Sequence, residues 1–167
     1  MNPTSSNQTD MKLGAQDVMF LQMMIPHHEQ AILMSDIAQE QADSDAIKKL
    51  AKAISVTQQV EIEQMREWLN ESDSPQYSDG HPMGTDGMLS EEEILELRAA
   101  NGKAFDSLFV EGMTKHHKGA IEMAQVEVDS GENEKVQAFA VAIIALQGAE
   151  LVTLKAIKKL IDLKSKF

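Results

Sequence analysis

Two stretches of the chain decide its fold: DVMFLQMMIPHHEQAILM, Asp17 to Met34, and DSLFVEGMTKHHKGAIEM, Asp106 to Met123. A shift of 89 positions lays Asp17 on Asp106, and with it Phe20 on Phe109, Met24 on Met113 and His27-His28 on His116-His117. Ala31, Ile32 and Met34 fall on Ala120, Ile121 and Met123. The match continues without a gap: Ala51, Ala53 and Ile54 meet Ala140, Ala142 and Ile143, Gln58 meets Gln147, and Glu61 meets Glu150. An ungapped match of this extent reads as duplication of one helical hairpin, with the halves related by a pseudo-two-fold axis.

Each half carries two helical patterns. Positions 20, 24, 27, 31, 34 and 38 alternate spacings of four and three, as the buried seam of a packed helix does. Positions 47, 51, 54, 58, 61, 65 and 68 repeat the rule in a second helix. The spacing predicts helices over about 15–41 and 45–70, joined at Ala42-Asp43-Ser44, where short polar residues favour a new N-cap. The second half predicts helices from about Phe105 to Ser130 and Asn133 to Leu163, with Gly131 as the helix C-terminal residue. Short turns make each pair antiparallel neighbours. Residues 71–89, rich in Ser, Asp, Gly and Pro, read as loop, and Ser90 with Glu93 reads as a capping box opening a short helix to about Ala100.

The expected fold is all-α: a four-helix bundle over 15–167, with a first hairpin at 15–70, a connector at 71–104 and a second hairpin at 105–163. A polar, disordered tail is expected at 1–14. The connector is long enough to run the length of the bundle, so a ferritin-like crossover and a simple up-down path both stay open.

Composition narrows the function. The 167 residues fit one domain, 43% of them hydrophobic but only 4% aromatic, so Leu, Ile, Val, Ala and 11 Met must fill the core. A net charge of −12 opposes binding to nucleic acid or an anionic membrane. The absence of Cys removes disulfides, thiolate metal sites and Cys nucleophiles. No uninterrupted run of about 18 apolar residues is present, so no transmembrane segment is expected. No nucleophile–base pair, phosphate loop or oxyanion motif appears, so no reaction is expected.

The histidines are the chemistry. With Met24 at zero and about 100° per residue, His27 falls near −60° and His28 near +40°. The pair therefore flanks the core seam, and His116 and His117 repeat this. One imidazole on a seam is ordinarily a core group with a hydrogen-bond partner. Four in duplicated pairs are harder to explain that way, because each costs about 1–3 kcal/mol if unpartnered. Folding the hairpin about its turn sets His27 opposite Gln58 and Met24 opposite Glu61. Gln58, Glu61, Gln147 and Glu150 are thus expected to orient the ring nitrogens. Met24 and Met113 stack on the histidine face. Thioether with imidazole suits a soft monovalent ion such as Cu(I) or Ag(I). His81, Met83 and Met88 in the connector would be accessory donors.

The run Met24-Ile25-Pro26-His27-His28-Glu29-Gln30-Ala31 and its echo Met113-Thr114-Lys115-His116-His117-Lys118-Gly119-Ala120 resemble the domain of unknown function 305 family, over about Gln16 to Leu160. The resemblance implies a ferritin-like copper-binding bundle that is exported, periplasmic or extracellular. It also implies copper held as Cu(I) by His27, His28, His116 and His117, with help from Met24 and Met113. Ag(I) would be a mimic, and Cu(II) would be taken at the surface. Copper buffering, resistance or delivery to a copper-exporting or copper-sensing partner protein would follow. The alternatives are a di-iron or di-manganese carboxylate enzyme, whose Glu-x-x-His motif is missing here, a bis-His haem bundle, and a structural bundle without metal.

Overall fold

The computed structural model describes residues 11–77 and 86–166. Five helices follow one another: α1 (Ala15–Gln41), α2 (Asp45–Glu71), α3 (Glu91–Ala99), α4 (Gly102–Ser130) and α5 (Glu134–Lys164). Ser44 caps α2 by accepting from the Ile47 N–H, and Ser90 with Glu93 forms a capping box on α3. α1 runs unbroken through Pro26.

Two carboxylates fix how the hairpins meet. Asp106, at the start of α4, accepts from the backbone N–H groups of Asp43 and Ser44 in the α1–α2 turn, at 2.9 and 3.0 Å. Asp17, at the start of α1, accepts from those of Glu132 and Asn133 in the α4–α5 turn, both at 3.0 Å. The start of each half therefore lies at the turn of the other. α1 and α4 run antiparallel, and the connector must cross the bundle from the end of α2 to the start of α4. This is the ferritin-like crossover rather than the up-down path.

The apolar core divides into two clusters. One holds Ala31, Met34, Ile47, Ile54, Phe105, Phe109, Met113 and Leu154; the other holds Phe20, Leu21, Met24, Ile62, Met65, Ala120, Val136 and Ile143. Buried outside both are His27, His28, His116, His117, Gln58 and Gln147.

Two features depart from the sequence expectation, and one refines it. Met11, placed with the tail, is buried, and the Asn133 amide reaches the Lys12 carbonyl at 2.8 Å. Residues 1–10 lie outside the described residues. Gly131 is the C-cap residue of α4, as expected, and stands in extended backbone (φ −70°, ψ 160°). It is glycine because a Cβ there would run into the buried Glu127 carboxyl. Finally, α5 is long and apolar enough to cross a membrane by length and composition, with a window of mean hydropathy 1.7. A count of uninterrupted apolar residues overlooks this because Gln147 and Glu150 interrupt it. In the fold α5 packs as a bundle helix, and Gln147 is buried within it.

Candidate metal centre

All four histidines of the two pairs are fully buried. The seam spacing of α1 and α4 turns them inward, and the antiparallel crossing brings the pairs to one level. The rings of His27 and His116 lie with centroids 3.8 Å apart and planes inclined by 41°. The two pairs thus meet at one place between the helices.

Two of the four Nε2 atoms hydrogen-bond to oxygen. His27 Nε2 lies 2.7 Å from the Asp86 carbonyl oxygen. A carbonyl only accepts, so Nε2 carries the hydrogen. His117 Nε2 lies 3.0 Å from Glu150 Oε1, and His28 Nε2 lies 3.6 Å from Glu61 Oε2. Glu61 meets His28 rather than Met24 because His28 stands one helical turn from Met24 on the same face. Burial pushes the His27 imidazole down to about 4, with the Asp86 carbonyl opposing and His28 and His117 reinforcing the shift. Burial likewise pushes His116 well below the ordinary range. Both are neutral at pH 7. A neutral His27 with hydrogen on Nε2 has a bare lone pair on Nδ1.

That lone pair has no partner among the described residues. Nδ1 of His27, His28, His116 and His117 are all buried without a hydrogen bond, as are Nε2 of His28 and His116. The Gln58 amide also makes no hydrogen bond through either end, and Gln147 Oε1 makes none. Buried acceptors left unpaired cost about 1–3 kcal/mol each. A cation accepted by imidazole lone pairs would remove that cost, so the donor set fits a soft ion. Among the described residues, no three His, Asp or Glu side chains already converge as a closed metal cluster. The rings would have to turn to share an ion.

The structure places Met24 and Met113 in opposite apolar clusters, both fully buried, so they bracket the histidine layer. Met88 is half-buried in the connector, while His81 and Met83 lie outside the described residues.

A strap that the sequence does not announce covers His27. Asp86 and Gly87 lie directly on α4 at Gly119, where any Cβ would strike the Asp86 carbonyl. Gly87 adopts φ +73°, which favours glycine. Two residues on, Leu89 is gripped through both backbone groups by the Gln30 side chain, at 2.8 and 2.9 Å. Gln30 and Gly119 are equivalent positions of the repeat. Their divergence is the signal that something asymmetric lies across the two-fold.

The family model described as Domain of unknown function (DUF305) matches residues 17–158. The chain belongs to the DUF305 family. It is similar to a candidate secreted DUF305 protein from Streptomyces coelicolor, at 28% identity and TM-score 0.84, covering 88% of this chain and 92% of that one. It also resembles a DUF305 fragment from Deinococcus radiodurans, at 26% identity and TM-score 0.80, over 87% and 96%. CopM in its Cu(I)-bound form matches at 29% identity and TM-score 0.72, over 84% and 93%. CopM structures with Ag and with Cu(II) match as well. The curated proteins include no match to this chain.

Proposed function

We propose that this DUF305 protein binds a soft monovalent metal ion, Cu(I), in the core of its bundle, through His27, His28, His116 and His117. The observation that carries the reading is the set of four buried, unpartnered Nδ1 atoms, with His27 and His116 in ring contact. The ion is cargo, not a catalytic group: its role is buffering or handing on copper. Similarity to CopM, which has been crystallised with Cu(I), Ag and Cu(II), supports the metal. Similarity to a candidate secreted protein supports an exported location.

The contact between the pairs favours one shared site over two. Glu150 then acts on the far side of His117, accepting from Nε2 and leaving Nδ1 for the ion, while Glu61 stands 3.6 Å from His28 Nε2 without a hydrogen bond. Met24 and Met113, one helical turn from the histidines and in the apolar clusters on either side of them, are the soft donors we assign to complete the site. A di-iron centre is less well supported, because among the described residues Glu61 and Glu150 are the carboxylates that approach the histidines.

Anaerobic competition of the purified chain against a chromophoric Cu(I) chelator tests the proposal. The native chain should withdraw Cu(I) from the chelator, and H27A/H28A and H116A/H117A should each lose that ability. Full affinity in both variants would refute it.

A further inference from the structure

A pocket of about 100 Å³ opens between α1 and α4 beside the strap, lined by Met19, Met23, Phe20, Met123 and Asp86, among others. Met19 and Met23 stand one turn apart on α1 and are half-buried; Met123 faces them from α4 and is 6% exposed. Three thioethers from two helices therefore share one small hollow that reaches the surface.

The repeat shows that this hollow is not a general consequence of the fold. The positions equivalent to Met19, Met23 and Met123 are Leu108, Gly112 and Met34. On that side of the two-fold the connector fills the space: a Cβ at Gly112 would lie 3.1 Å from Leu89 Cδ2 and 3.4 Å from Met34 Cε. One side of the α1–α4 groove is thus closed by a leucine. The other is left open and carries two additional sulfurs. At the Met19 position packing alone is served by Leu, as Leu108 shows in the other half.

Asp86 links the pocket to the core. It borders the hollow, and its carbonyl oxygen is the atom that accepts from His27 Nε2. A cation in the pocket would stand beside the residue whose carbonyl meets His27.

We propose that Met19, Met23 and Met123 form a second, thioether site that captures a soft monovalent cation at the surface, next to the strap over the core histidines. The chemistry is that of sulfur donors, which select Cu(I) and Ag(I) over hard divalent ions. The inference rests on the proposed function for the identity of the ion, but its readout is separate.

The test is titration of the full-length chain, labelled with ¹³C at the Met methyls and ¹⁵N in the imidazoles, with Ag(I). The expected result is that the Met19, Met23 and Met123 methyl resonances move together during the titration. In M19L/M23L/M123L, with a native thermal melt, that equivalent of Ag(I) should be lost while the imidazole response persists. If the three methyls hold their apo positions to saturation while the imidazoles respond, the pocket is only a packing defect and the proposal is overturned. Methyl movement with silent imidazoles would support the pocket and count against the core site. The native-chain spectra decide the matter even if the triple variant fails to fold.

Discussion

The imidazoles of His27 and His116, one from each half of the repeat, lie in ring contact at 3.8 Å. Together with the unpartnered Nδ1 atoms around them, this contact is the basis for the proposal that the two duplicated motifs serve one locus. Duplication supplies each half with a pair of donors, and the pseudo-two-fold brings the pairs together in a layer that splits the apolar core.

Orientation of His117 should set affinity. Its Nε2 lies 3.0 Å from Glu150, which fixes the hydrogen on that nitrogen. Glu150→Ala is expected to weaken Cu(I) binding by about 10–100-fold, the usual effect of removing a group that orients a ligating histidine. Unchanged affinity by chelator competition would show that the carboxylate plays no such part.

The strap depends on Gln30. Gln30→Ala removes two hydrogen bonds to the Leu89 backbone, worth about 1–3 kcal/mol together. Amide exchange at Leu89 should accelerate about tenfold or more, while amides in mid-α2 keep their rates. Unaltered Leu89 exchange would mean that the strap is held elsewhere.

The reciprocal caps should matter for stability. Asp106→Ala leaves the Asp43 and Ser44 N–H groups without their acceptor and should cost about 1–3 kcal/mol in urea denaturation. Asp17→Ala should be milder near neutral pH, because Asp17 faces the buried Glu127.

That carboxyl pair gives a pH signature. Burial and the neighbouring Asp17 carboxyl push Glu127 up to about 9. Burial alone would raise Asp17, but Glu127 and the N–H groups of Gly14, Asn133 and Glu132 hold it below the usual range. Folding therefore takes up a proton at Glu127 between its unfolded value near 4.5 and its folded value near 9. That contribution is fully present below pH 4.5 and is lost as pH rises through 9. The slope is at most about 1.4 kcal/mol per pH unit. Glu127→Gln should be more stable than the native chain at pH 8 and should flatten the decline between pH 7 and 9. Parallel native and variant profiles over that range would disprove the assignment. The histidines act oppositely: His27, depressed to about 4, withdraws stability as pH falls from 6.5 towards 4.

The helices and the histidine layer were legible in the sequence because core-facing side chains must recur every three or four residues, and the duplication reported them twice. The matched Asp17 and Asp106 were visible as a pair, but their targets were not. Each caps a turn in the other half, 115 residues away for Asp17 and Glu132, and a backbone N–H leaves no mark in a sequence. The strap was hidden for the same reason, since His27 is met by a carbonyl. Hairpin register placed Gln58 opposite His27, yet its amide makes no hydrogen bond. Register fixes height along a helix, not the direction of a long side chain.

The most direct test of the shared site is the imidazole ¹⁵N spectrum during the first equivalent of Ag(I). For one shared ion, the Nδ1 resonances of His27 and His116 shift together and reach their end point at one ion per chain. Nδ1 signals that remain in place at saturation, or pairs that titrate separately as two equivalents, would contradict it.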